Sequence, residues 1–98
     1  MVLNLKTPEI EITNGEVTKI FKALASATRW KILKLLTKGN NLDVSRIAEH
    51  LKQTEANISA QIKILEKAGL VVCHYEPGEH GVRKVCEPAC EKLIIKIL

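Results

Sequence analysis

Six polar side chains fall within one short stretch of the chain, Thr54, Glu55, Asn57, Ser59, Gln61 and Lys63, and all but Glu55 are candidates for contact with DNA. Ile58, Ile62 and Leu65 recur among them at i, i+4 and i+7, a buried stripe at helical spacing that leaves the hydroxyl, amide and ammonium groups to the other faces. Such groups hydrogen-bond the edges of base pairs, so this helix suits a groove of double-stranded DNA. Arg83 and Lys84 lie further on, near the expected tip of a hairpin, where cations would grip phosphate or enter the minor groove. Cys73, Cys86 and Cys90 are the only groups able to change covalent state or hold a soft metal ion.

The elements that would position these groups follow from periodicity and punctuation. Asp43 and Thr54 each have the chemistry of a helix N-cap, and Leu42 can staple onto Ile47, so residues 42–71 read as two amphipathic helices in a helix-turn-helix. Upstream, residues 1–12 form an arm or a short strand. Thr13 and Glu16 have capping-box spacing before the stripe Val17, Ile20, Phe21 and Leu24. Ser26 caps a second helix in which Trp30, Ile32, Leu33, Leu35 and Leu36 supply the largest share of core, and Gly39 ends it. Downstream, two β-branched runs flank Glu-Pro-Gly-Glu-His-Gly, a hairpin or wing over 71–87 with a loop of four to six residues. Pro88 then starts a last helix bearing Ala89, Leu93, Ile94, Ile97 and Leu98. The fold class is mainly α with a small β-hairpin, an α+β winged helix-turn-helix over residues 13–98.

A chain of 98 residues holds one domain, and one so small often needs a partner for stability. Val17, Ile20 and Phe21 on the first helix and Leu93, Ile94 and Ile97 on the last are the expected seam of a homodimer. No apolar run approaches membrane-spanning length and the start lacks a secretory pattern, which points to the cytoplasm and to no membrane partner. The net charge of +4 is compatible with a polyanion. Its distribution says more, because Lys19, Lys22, Arg29, Lys31, Lys34 and Lys38 face Glu16 alone in residues 16–38. On one view those cations grip phosphates beside the reading helix; on the other they are solvated helix faces. The chain has no Gly-rich phosphate loop, no nucleophile elbow and no paired histidines at metalloprotease spacing, so it is not expected to be an enzyme. A winged helix used only for protein contacts, without DNA binding, is the alternative to a DNA-binding regulator.

Three stretches carry a family resemblance: FKALASATRWKILKLL (21–36), VSRIAEHLKQTEANIS (44–59) and ISAQIKILEKAGLV (58–71). Together they resemble the ArsR/SmtB family of winged-helix transcriptional repressors. The resemblance implies a homodimer paired through its first and last helices, bound to a two-fold symmetric operator and released by an inducer, often a metal ion or a redox signal. Asp43 and Ser45 stand where the family's thiolate metal site needs cysteines, which rules that site out. The last segment offers Cys90 and Glu91 but no histidine for the other familiar site. Gln61 replaces a frequent histidine and can still pair with an adenine edge, while Lys52 stands where glycine is frequent in the turn.

The cysteines keep two readings open. A hairpin centred near Glu79 and His80 makes Cys73 and Cys86 cross-strand partners, with Cys90 a turn further on. They would form a thiol sensor for an oxidant or soft metal, or a disulfide that fixes the wing; or they are small apolar residues between wing and core. His74 and His80 could add ligands, whereas His50 reads as half-exposed packing.

Overall fold

Four helices and two two-stranded sheets make up the residues that the computed structural model describes, 7–12, 15–39 and 42–97. In chain order they are β1 (Thr7–Ile12), α1 (Val17–Leu24), α2 (Ala27–Leu36), α3 (Val44–Leu51), α4 (Glu55–Lys67), β2 (Val71–Gly78), β3 (Gly81–Pro88) and β4 (Cys90–Ile95). The capping box at Thr13 lies outside the described residues. Ser26 caps α2, its hydroxyl accepting from the Arg29 amide at 3.3 Å, and Gly39 follows that helix with φ of 71°.

The helix-turn-helix has the expected punctuation. Asp43 caps α3 through a 2.9 Å bond from the Arg46 amide, and Thr54 caps α4 through a 3.1 Å bond from the Asn57 amide. Between the helices Lys52 is left-handed, with φ of 54°. Its amide donates to the Glu49 carbonyl and that of Gln53 to Ala48, the 5→2 and 6→1 pair of a Schellman turn. The same motif closes α4, where Gly69 at φ 77° lets Leu70 turn back onto Leu65 through a 3.0 Å backbone bond. Lysine carries a steric cost at such a φ that glycine avoids, so the turn holds one strained residue.

The core is aliphatic. Ile32 of α2, Ile47 of α3, Ile58, Ile62 and Leu65 of α4 and Val85 of β3 are all fully buried. Trp30 does not contribute as its size suggests: it is 52% exposed, so α2 packs through Ile32 and Leu36 instead.

The wing pairs tightly. β2 and β3 are antiparallel from Val71↔Pro88 to Gly78↔Gly81, which leaves a two-residue turn, Glu79 and His80, in place of the longer loop. Gly81 makes this possible with φ of 108°. Counting back from the turn makes Pro77↔Val82, Tyr75↔Lys84 and Cys73↔Cys86 the non-hydrogen-bonded pairs, so Pro77 lacks no ladder bond. The free amide of Cys86 donates outward to the Leu42 carbonyl at 3.3 Å, and Asp43 bridges Val85. The chain entering α3 thus lies beside the wing, joined to it by one isolated bridge and one backbone hydrogen bond.

The last segment departs from expectation. Residues after Ala89 form a strand, not a helix: β4 runs parallel to β1, with Ile10 opposite Leu93 and Ile12 opposite Ile95. Pro88 ends β3 opposite Val71, and the amide of Ala89 donates to the Leu70 carbonyl at 2.9 Å, which holds the chain in sheet geometry. So short a segment gains little as a helix, whereas β1 offers it a full ladder of backbone partners. The described residues after Ala89 therefore offer no helix for the expected dimer seam.

Replacing Ile62 by alanine removes a fully buried side chain from the centre of α4, and should cost about 2–5 kcal/mol in chemical denaturation. Lys52→Gly should raise stability by up to about 1 kcal/mol by relieving the left-handed lysine. A fall in the denaturation midpoint of the glycine variant would show that the turn carries no strain.

Candidate nucleic-acid interface

Ile58, Ile62 and Leu65 fix the rotation of α4, and rotation decides which residues can reach a ligand. At 100° per residue Ala56, Ala60, Lys63 and Lys67 project opposite the buried stripe, and all four are exposed. Ser59 lies on the flank toward the wing, in a groove shared with Ser45, Tyr75 and Val82. Asn57 and Gln61 lie on the other flank, toward α2. The expected set of Thr54, Asn57, Ser59, Gln61 and Lys63 therefore does not form one surface. Thr54 is occupied as the cap, Lys63 is on the outward face, and the remaining three divide between two flanks. Ala56 and Ala60 were missed, although the same stripe places them outward and a methyl group can touch thymine.

Gln61 is further constrained by a residue that the sequence left open between a phosphate contact and a solvated helix face. Arg29 donates from Nη1 to Gln61 Oε1 at 2.6 Å, from Nε to the Ala23 carbonyl at 2.6 Å and from Nη2 to the Lys22 carbonyl at 3.0 Å. It thus caps the end of α1 and grips α4. Beyond Gln61 the side chains continue as Asn57, Gln53 and Thr28, each hydrogen-bonded to the next. The spacing of Gln53, Asn57 and Gln61 at four-residue intervals was the available signal for this ladder.

The wing's cations lie two and three pairs from the Gly78↔Gly81 end of the hairpin, and each is matched by a carboxylate. Arg83 pairs across the ladder with Glu76, well short of the turn, and donates to Glu76 Oε1 from Nη2 at 2.7 Å and from Nε at 3.0 Å. Its Nη1 also reaches Asp43 Oδ2 at 3.2 Å, so one guanidinium ties the cap of α3 to the wing. Lys84 donates to Glu66 of α4 at 2.5 Å and stands 6.0 Å from the centre of the Tyr75 ring. Both cations are matched by carboxylates and brace the wing against the helices. The tip itself carries Glu79 and His80, with Tyr75 and Val82 exposed along the strands.

Cys73 and Cys86 face each other as the register expected and form a disulfide with a Cα–Cα distance of 4.1 Å. Cys90 is a free, half-buried thiol whose burial pushes its pKa up. Among the described residues no group of three or more His, Cys, Asp or Glu side chains is placed to hold a metal ion, and two of the three cysteines are bonded to each other. Of the expected dimer seam, Ile20 is in the core at 5% exposure and is not free to pair. Phe21 is half-exposed, Val17, Leu93 and Ile94 are half-buried, and Ile97 is 93% exposed.

The Arg83 guanidinium, with a smaller contribution from His74, holds the Glu76 carboxyl below its ordinary value. A depressed carboxylate stabilises the fold fully above the ordinary value near 4.5, and the contribution fades as pH falls through the lower folded value. The Glu76 side-chain carboxyl should titrate by NMR below that value and return toward it in Arg83→Met. An unchanged midpoint in the variant would mean that the pair is not formed in solution.

Known proteins resemble this arrangement. A model of the bacterial regulatory proteins of the arsR family matches residues 26–72. MJ1325 of Methanocaldococcus jannaschii, an uncharacterised HTH-type transcriptional regulator, is 39% identical over 61 residues, which is 62% of this chain and 68% of that protein. The transcriptional repressor SdpR of Bacillus subtilis is 38% identical over 58 residues, 59% of this chain and 63% of SdpR. The homodimeric winged helix-turn-helix DNA-binding domain of Mb0332 from Mycobacterium bovis superposes with a TM-score of 0.68 at 31% identity, covering 79% of this chain and 67% of that one.

Proposed function

Because this chain belongs to the ArsR family of winged helix-turn-helix transcriptional regulators, we propose that it is a dimeric cytoplasmic repressor that reads a two-fold symmetric operator through α4 and its wing. The observation that carries this reading is the outward face of α4. Ala56 and Ala60 are small enough to let the helix settle into a major groove, Lys63 and Lys67 follow them, and no carboxylate interrupts that line. Asn57 and Ser59 flank it with groups that can hydrogen-bond base edges. Exposed Lys19, Lys22, Lys31, Lys34 and Lys38 on and after the first two helices supply phosphate contacts, while the wing's own cations serve to hold it in place.

The protein should bind one sequence at least about a thousandfold more tightly than random duplex at physiological salt, with affinity falling steeply as salt rises. Fluorescence anisotropy with the DNA upstream of its own gene measures this. Failure to discriminate any DNA would favour the alternative, a winged helix used for protein contacts.

The dimer is proposed to form through Val17 and Phe21 of α1 together with Leu93, Ile94 and Ile97 at the end of the chain. The half-exposed Phe21 and the nearly bare Ile97 support it, as does the homodimeric state of the Mb0332 domain. Phe21→Asp should convert the dimer to monomer in sedimentation and weaken operator binding, since half-sites a helical turn apart need both reading helices held together. A wild-type monomer at micromolar concentration would remove this seam.

A thiol signal belongs to the same proposal. Reduction of Cys73–Cys86 by a dithiol takes up two electrons and two protons, leaves two thiols, and converts the reductant to its disulfide. The bond lies beside the Leu42–Cys86 contact that joins the wing to α3, so its loss can reach the reading helices. Operator affinity should then change about tenfold on reduction, a typical coupling, and Cys86→Ser should mimic the reduced protein. Equal affinity in both states would exclude a redox role.

A further inference from the structure

The polar ladder on the flank of α4 closes into a ring. Gln61 Nε2 donates to Asn57 Oδ1 at 3.2 Å, Asn57 Nδ2 donates to Gln53 Oε1, and Gln53 Nε2 donates to Thr28 Oγ1 at 3.3 Å. Thr28 adjoins Arg29, which returns to Gln61 Oε1 at 2.6 Å. The ring spans the start of α2, the turn of the helix-turn-helix and the first half of α4, and its most exposed member is Asn57.

A carboxamide has nearly the same shape either way round, so an isolated asparagine or glutamine on a reading helix can offer a base its oxygen, its N–H groups or both. A guanidinium has five donors and no acceptor. Only the oxygen of Gln61 can therefore face Arg29. That choice propagates: the Gln61 nitrogen must face Asn57, which presents its oxygen in return, and the Asn57 nitrogen must face the oxygen of Gln53. Arg29 cannot swing away cheaply, because the carbonyls of Ala23 and Lys22 hold its other nitrogens. Each of the three amide oxygens already accepts a charged or neutral N–H, and each amide nitrogen keeps one further hydrogen.

On the proposed reading of DNA by α4, we infer that Arg29 is a positioning residue that fixes the amide polarity of the reading helix, so that its amide flank offers donors and selects guanine or thymine. Guanine presents two acceptors in the major groove and thymine one, whereas cytosine presents an amino donor. Adenine is read by an amide through one donor and one acceptor together, and here each oxygen already accepts one hydrogen bond directed along the ring, so that only its second lone pair is left for a base. The adenine pairing expected for Gln61 from sequence is thereby disfavoured.

Selection of binding sites from random duplex DNA, with the full chain and with Asn57→Ala, Arg29→Met and Gln61→Met, tests this. Asn57→Ala should lose preference at one position of each half-site. In the wild type that position should hold guanine or thymine, favoured roughly tenfold over adenine and cytosine. Arg29→Met frees the amides to turn over and should let adenine in at that position alone, leaving the rest of the site unchanged. Gln61→Met cuts the same link while keeping Arg29 on the α1 carbonyls, so it should broaden the same position even if Arg29→Met folds poorly. Adenine or cytosine at the Asn57-dependent position in the wild type overturns the inference, and so does an unaltered preference in both ring variants. If the folded wild type enriches no sequence at all, the DNA reading beneath the inference fails instead.

Discussion

Burial of Ile58, Ile62 and Leu65 in one cluster with Ile32, Ile47 and Val71 is the constraint on which the rest of the molecule depends, because it sets the rotation of α4 about its own axis. A helix turned by one residue would swing its outward face by about 100° and exchange Ala56, Ala60 and Lys63 for Glu55, Ser59 and Ile62 in one direction or Asn57, Gln61 and Ile64 in the other. Full burial of each of these side chains stabilises the fold by roughly 1.5–3 kcal/mol, a large share of what a domain this small can hold. The same aliphatic contacts that fold the domain would therefore orient the proposed recognition face, so that a substitution at these positions would be expected to alter stability and binding together.

Polar contacts then lock the elements around that core. Asp43 caps α3 with one carboxylate oxygen and receives Arg83 of β3 on the other, so helix and wing share one residue. Arg29 performs the equivalent task on the opposite flank, joining α1, α2 and α4. Lys84 joins β3 to Glu66 near the end of α4. Each cation that looked available for phosphate in these places is held by a carboxylate, carbonyl or amide. On the proposed reading, binding of a polyanion would fall to the outer faces of the helices, where Lys19, Lys22, Lys31, Lys34 and Lys38 are exposed, and the wing would contribute by shape and by the exposed Tyr75 and Val82.

Much of this was legible from the chain alone. The caps at Ser26, Asp43 and Thr54, the stripe on α4 and the Cys73–Cys86 register all depend on residues close in sequence, where spacing and local chemistry are enough. What failed had distant partners. The chain after Ala89 carries apolar spacing compatible with a helix, and only the presence of β1, nearly the whole chain away, makes a strand the better state. Trp30 was assigned to the core by its size, yet α2 turns a smaller isoleucine inward.

The sequence by itself determined the family, the helix-turn-helix and the wing, because these rest on periodicity, capping and turn chemistry within short windows. Tertiary structure decided which polar groups remain free to act. Gln61, Arg83 and Lys84 have the right types for DNA contact, but hydrogen bonds are made by whichever partner the fold brings within about 3 Å, and that partner is invisible in a linear chain. Arg29, unremarkable as one cation among six, gained its position at the junction of three helices from packing alone.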